Sequence, residues 1–193
     1  EVAERQRENL VADVAHELRT PLSNIRGYVE AIRDGVLKPD RATIDTIHEQ
    51  VLLLGRLVED LRLLALTEAG DLRLDVELDS LEDVVRRAAE GFRPRAEAGQ
   101  VTIHTDIPAA MPLIDIDRTR IAQVLGNLLE NAVRHTPPGG DVRVSAGVEG
   151  PVATVTVADT GEGIPAEELP YVFERFYRSD PSRARATGGA GLG

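Results

Sequence analysis

Two runs of apolar residues with a seven-residue repeat fill the first third of the chain and commit it to a helical start. Val11, Val14, Leu18, Pro21, Ile25, Tyr28 and Ile32 are spaced alternately three and four apart. That alternation puts them on positions a and d of a heptad, one stripe along a helix over roughly residues 5 to 34. Gly35 to Asp40 holds Gly, Pro and Asp, a turn, and Asp40 is placed to cap a second helix. Ile44, Ile47, Val51, Leu54, Val58, Leu61 and Ala65 repeat the stripe. Two helices joined by so short a loop predict an antiparallel pair. One pair buries one stripe and leaves Leu53, Leu57 and Leu64 off the seam. Pairing two such hairpins into a four-helix bundle would cover them, so a homodimer is expected.

The heptad frame places His16 at f, furthest from the seam, with Glu17 beside it and Thr20 one turn on along the same face. Pro21 has no backbone N–H to give the Glu17 carbonyl, and its ring bends a helix. A mid-helix proline costs about 3 kcal/mol, so its place beside an exposed histidine asks for a reason. Spacing alone fits two readings: a reactive histidine, or a surface histidine beside an incidental kink.

The second part reads as a two-layer α/β sandwich. Thr67 to Leu74 is a linker, and Val76 to Leu78 a short strand. Ser80 caps a helix over Leu81 to Phe92, with Leu81, Val84, Val85, Ala88 and Phe92 as its apolar face. Val101 to Thr105 alternates as a strand. Asp117 caps a helix over residues 118 to 134 with a core stripe of Ile121, Val124, Leu125, Leu128, Leu129 and Ala132. Asn127, Asn131 and Arg134 line up on its other side. Strands follow at Val142 to Ala146 and Val152 to Ala158. Asp159 continues the phase of Val155 and Val157, so it is expected on their helix-covered face, where a carboxylate needs hydrogen-bond donors. Gly161 and Gly163 follow at once; they fit close approach of a flat ligand, or an ordinary turn after a strand. The boundaries expected are 1–68, a linker at 69–75, and 76–193.

Charge narrows the function. Lys plus Arg is 22 against 33 for Asp plus Glu, a net charge of −11, which excludes a general nucleic-acid binder. There is no cysteine for a disulfide or thiolate metal site. No apolar run reaches the roughly 18 residues of a membrane span. The chain begins without Met and stops at Gly193 inside a glycine run, so it is expected to be a fragment, with any membrane anchor in a preceding part. Four of the aromatics, Tyr171, Phe173, Phe176 and Tyr177, cluster near Arg175, Arg178, Arg183 and Arg185, before a terminal G-G-A-G-L-G. That segment fits a polyphosphate cover or a solvated loop. No G-x-x-x-x-G-K-[ST] is present, so it is not a P-loop.

Five strings in order carry a resemblance: H-E-L-R-T-P-L (16–22), N-L-L-E-N-A-V-R-H-T (127–136), D-T-G-E-G-I (159–164), F-E-R-F-Y-R (173–178) and G-G-A-G-L-G (188–193). Together the chain resembles a bacterial two-component sensor histidine kinase over nearly its whole length. The resemblance implies a dimerisation and phosphotransfer domain, then a Bergerat-type ATP-binding domain. It implies autophosphorylation of His16 from Mg-ATP and transfer to an aspartate on the receiver domain of a response regulator. Glu17 would serve as base, and Thr20 would orient water for dephosphorylating the regulator. Asn131 would bind Mg²⁺, with Asn127, Arg134 and His135 lining the ATP site. Asp159 would accept from the adenine amino group, Gly161 and Gly163 would shape its pocket, Arg178 would meet the γ-phosphate, and Gly189, Gly191 and Gly193 would offer N–H groups to the phosphates. Arg134 stands where many relatives have Lys, and His135 where Tyr is common. The resemblance also implies the cytoplasmic portion of an inner-membrane-anchored protein. Two alternatives are a Bergerat-type ATPase of another kind and a non-catalytic dimer scaffold.

Overall fold

The computed structural model describes residues 2–108 and 110–172, with side chains from residue 14 onward. It divides into two compact units, one through Leu72 and one over Arg73–Leu169.

The first unit is a pair of helices, α1 (Val2–Arg33) and α2 (Arg41–Ala69). Asp40 caps α2 as expected, its side chain accepting from Thr43 N–H at 2.9 Å. Gly70 ends α2 in the left-handed conformation, φ 72°, which costs glycine no Cβ clash. Val14, Leu18, Pro21, Ile25, Tyr28 and Ile32 of α1 are all at least half-buried, as their stripe predicts.

On α2 the seam differs from expectation. Leu57 is 3% exposed, while Val58 is 54% exposed. The row Thr43, Gln50, Leu57 and Leu64 faces α1 beside Ile47, Leu54 and Leu61, and the expected row Ile44, Val51, Val58 and Ala65 stands outside. Both rows flank Ile47, Leu54 and Leu61 at three-four spacing, so a helix apolar on several sides satisfies either register. A cross-helix hydrogen bond from Asn24 Nδ2 to Gln50 Oε1, 3.2 Å, accompanies the observed one.

The second unit packs two helices on a sheet. β1 (Glu77–Asp79) pairs antiparallel with β3 (Ile114–Ile116), a strand the sequence did not announce. β2 (Thr102–Asp106), β4 (Asp141–Glu149) and β5 (Val152–Asp159) form the larger sheet in the order β2-β4-β5, parallel then antiparallel. α3 (Leu81–Ala98) runs past its expected end at Phe92 and carries Pro94 within it. Arg86 and Arg93 of α3 donate to the carbonyls of Ile107 and Ile103, covering polar groups beside the outer edge of β2. The core is Val85, Ala89, Leu125, Leu129, Val142 and Val144 with their neighbours, so α3 and α4 (Arg118–His135) share one layer against β2 and β4.

α4 corrects a second expectation. Leu125, Leu129, Ala132 and Val133 are buried, but Val124 and Leu128 are 54% and 45% exposed. At about 100° per residue these two lie on the Asn131 side of the helix, away from the sheet.

Candidate active site

Two sets of candidate residues lie on the two units. On α1, His16 and Thr20 are exposed and Glu17 is half-buried. The helix continues through Pro21, whose ring is buried in the seam. Thr20 Oγ1–H donates to the His16 carbonyl at 3.3 Å, a turn of side-chain-to-backbone bonding below the missing proline N–H. The His16 ring therefore projects from a face of α1 that is open to a reactant.

On the second unit the candidates gather around the C-terminal half of α4 and the end of β5. Asn127 and Asn131 are exposed, one turn apart, on one face. Arg134 lies beside them and donates from Nη2 to Glu130 Oε1 at 3.2 Å. Val124 and Leu128 flank the asparagines, so amide groups and bare aliphatic surface adjoin. Such a mixture suits a ligand with a flat apolar part and a polar part.

Past α4 the chain is knitted to the end of β5. Thr136, buried, donates from Oγ1 to the Ala132 carbonyl at 2.6 Å. Gly140 is close-packed: a Cβ there would sit 2.5 Å from Thr136 Cγ2 and 2.8 Å from Thr160 Oγ1. Thr160 Oγ1 accepts from Asp141 N–H at 2.9 Å. Asp159 keeps the phase of Val155 and Val157, yet it is exposed, not covered by helices. Its Oδ1 accepts from Gly161 N–H at 2.9 Å. Gly161 is pinned against α4: a Cβ would lie 2.5 Å from the His135 carbonyl oxygen and 2.7 Å from Asp159 Oδ1. Gly163 has φ 72°, the left-handed turn that glycine adopts readily.

Asn127, Asn131, Arg134, His135, Asp159 and Gly161 thus belong to one end of this unit. Arg178, Gly189, Gly191 and Gly193 lie outside the described residues. Sequence reasoning missed two acids. Glu162 meets His135 Nδ1 at 3.3 Å, tying the glycine turn to α4. Glu130 joins Arg134 to Arg95 of α3. The four-residue step from Glu130 to Arg134 was a readable signal.

An Mg²⁺ ion prefers oxygen ligands, keeps much of its water and is completed by substrate phosphates. The exposed side-chain amides of Asn127 and Asn131 fit that requirement. Among the described residues no cluster of three or more His, Cys, Asp and Glu could hold a metal alone.

Known proteins match this layout. Residues 6–70 match the His Kinase A (phospho-acceptor) domain model, and residues 116–193 match that of the histidine kinase-, DNA gyrase B- and HSP90-like ATPases. The histidine kinase AdeS of Acinetobacter baumannii superposes with a TM-score of 0.75 at 34% identity, over 92% of this chain and 82% of that one. The signal transduction histidine-protein kinase BaeS of Escherichia coli K12 is 37% identical over 98% of this chain, which spans 40% of that relative's length. The histidine kinase ThkA, solved in complex with the response regulator protein TrrA, shares the fold with a TM-score of 0.67 at 24% identity, over 90% of this chain and 53% of that one.

Proposed function

The chain belongs to the sensor histidine kinases, with a phosphoacceptor domain and an ATPase domain, and from that premise we propose that it phosphorylates His16 from Mg-ATP and passes the phosphoryl group to an aspartate of a response regulator. Its domains are taken as 1–68 and 76–193 around a short linker. The observation that carries the reading is an exposed His16 on the outer face of α1, inside the segment that matches a phosphoacceptor domain.

In the proposed step His16 Nε2 attacks the γ-phosphorus in line. The N–P bond forms as the bond to the β-phosphate oxygen breaks, and ADP leaves with that electron pair. In its neutral form the imidazole offers a nitrogen lone pair to the phosphorus. Glu17 accepts a hydrogen bond from Nδ1–H and stabilises the positive charge that develops on the ring. Asn127, Asn131 and Arg134 orient the phosphates, and Asp159 accepts from the adenine amino group. Gly161 and Gly163 shape the adenine pocket, and His135 adjoins it. Mg²⁺, held by Asn131 with Asn127 nearby, supplies charge neutralisation on the phosphates when bound.

The partner is a receiver domain, as ThkA's complex with TrrA suggests by fold, docking near the exposed Arg19, Ser23 and Arg26. Thr20, exposed one turn from His16, is assigned to orient the water that removes phosphate from the regulator. A second copy of the chain is the partner for the exposed rows of α1 and α2: Leu22 and Val29 on one, Ile44, Val51 and Val58 on the other. No helix among the described residues is long and apolar enough to cross a membrane. Since BaeS is longer than this chain, a membrane anchor is proposed elsewhere in the parent protein, leaving these residues cytoplasmic.

Incubation of the full-length protein with γ-labelled ATP tests the central step. Acid-labile, base-stable phosphate is expected on the protein and absent in His16→Ala. ATP turnover with no phosphoprotein would instead fit an ATPase of another kind.

A further inference from the structure

Glu130 is the only acidic residue of α4. Oε1 accepts from Arg134 Nη2 at 3.2 Å, and Oε2 takes a short contact from Arg95 Nη1 of α3. The carboxylate and Arg134 are only 19% and 20% exposed, whereas Arg95 is 53% exposed. Two partners on two helices leave Glu130 little rotamer freedom. An ion pair of two exposed, singly held side chains would gain far less in order.

The placement of Arg134 gives that order a use. At about 100° per residue, Arg134 lies within about 20° of Asn127 around α4, and Glu130 about 40° further round. Glu130 therefore approaches Arg134 from the flank opposite Asn131. A guanidinium is a planar fork, and its contact with phosphate depends on orientation as well as charge.

We infer that Glu130, gripped by Arg95, is a positioning residue that fixes the Arg134 fork at the rim of the nucleotide face. This rests on the reading of Arg134 as a phosphate contact. A carboxylate that only added negative charge near the phosphates would instead weaken nucleotide binding, and its removal would tighten it.

The test is ATP and adenosine affinity in the full-length protein, measured by calorimetry for Arg134→Ala, Glu130→Gln, Arg95→Gln and the Glu130→Gln/Arg134→Ala pair. Glu130→Gln is expected to weaken ATP about three- to ten-fold, the range for losing one charge-assisted hydrogen bond, and to leave adenosine unchanged. Arg95→Gln, which removes the second grip on Glu130, is expected to act in the same direction by less. In the Arg134→Ala background, Glu130→Gln should add nothing. Tighter ATP binding, equal loss for ATP and adenosine, or additive losses in the pair would overturn the inference. So would a silent Glu130→Gln in a protein where Arg134→Ala weakens ATP. If Arg134→Ala leaves ATP affinity unchanged, the phosphate reading of Arg134 falls first and the inference with it.

Discussion

On α2 the uncovered apolar side chains Ile44, Val51 and Val58 recur every seven residues with no polar group required among them, whereas on α4 the uncovered Val124 and Leu128 flank two asparagines. Both helices are amphipathic, and both leave aliphatic surface in water. They differ in how much core each unit has without a partner. α3 and α4 close over a sheet that buries Val85, Leu129, Val142 and Val144 completely. Among the described residues the helical pair buries Leu57 and Pro21, and its other apolar side chains are half-buried or exposed. A periodic, purely apolar row suits another helix. An apolar patch interrupted by amides suits a ligand with two kinds of surface.

The largest effect expected is on the helical pair. Each aliphatic side chain on the row gives roughly 1.5–3 kcal/mol when buried. In a two-fold assembly every substitution counts twice. Val51→Glu with Val58→Glu should therefore abolish the dimer, read as a halved mass in light scattering. Peptides of α2 should lose hydrogen-exchange protection while those of α4 keep theirs. A folded, protected monomer would show that the pair is self-sufficient and would erase the contrast.

Neighbouring leucines on α4 sharpen the comparison at the next level. Leu129→Ala is expected to cost about 2–5 kcal/mol of stability in the α/β unit, since a fully buried leucine leaves a cavity. Leu128→Ala should cost far less, about 1 kcal/mol or under, because nearly half of its surface is already in water. It should nevertheless weaken ATP binding several-fold if that face carries nucleotide. Denaturant melts and nucleotide titrations on the two variants separate burial from binding. Equal melts would mean that the two positions do not differ as their exposures indicate.

How much of this was readable in the sequence follows from how local each cause is. The caps Asp40, Ser80 and Asp117 were readable, since each side chain bonds a backbone N–H three residues on, to Thr43, Asp83 and Arg120. The helical pair, the α/β order and the Asn127–Asn131–Arg134 line follow from spacing in the same way. β3 was not readable: a three-residue strand shows no period, and its partner Glu77–Asp79 is far away in the chain. The seam of α2 was half readable, because two rows share Ile47, Leu54 and Leu61, and only packing against α1 chooses between them. The same holds for Val124 and Leu128, whose apolar character does not say which side of α4 the sheet covers. Glu162 and Arg95 acquire their partners only when the glycine turn and α3 arrive beside α4.

A smaller effect is expected at Gly161. An alanine Cβ would meet the His135 carbonyl oxygen at 2.5 Å, backbone that cannot yield cheaply, and the side-chain Oδ1 of Asp159 at 2.7 Å, which would have to shift. Gly161→Ala should cost about 1–3 kcal/mol. It should also weaken adenosine and ATP binding by the same factor, because the shift falls on Asp159 and not on the phosphate side. A loss confined to ATP would move Gly161 away from the adenine end.

The smallest effects are in acid, and here the units should respond with opposite signs. Arg118 bonds Asp79 through Nε at 2.6 Å and Nη2 at 2.9 Å, and bonds Asp83 as well. With the Ser80 N–H, these contacts hold Asp79 down at about 2. A carboxyl lowered in the folded state gives stability above its unfolded value, lost as pH falls through the folded one. The clasp joining β1, α3 and α4 should therefore loosen between about 3.8 and about 2, and Asp79→Asn should remove that part of the pH dependence. Asp60 on α2 is shifted upward, chiefly by burial, with Arg56 opposing the shift and Glu59 adding to it. Its neutral form suits the fold better, so its contribution is fully present below the ordinary carboxylate value and lost as pH rises through the raised one. Acidification from pH 7 to about 4 should thus raise protection along α2, and Asp60→Asn should bring that gain already at pH 7, by under about 1 kcal/mol given its partial exposure. Hydrogen exchange resolved by peptide, with α2 read against β1 and α3, decides the matter. Parallel loss in both units on acidification, unchanged in Asp79→Asn, would place the acid response in overall charge and not in these two carboxylates.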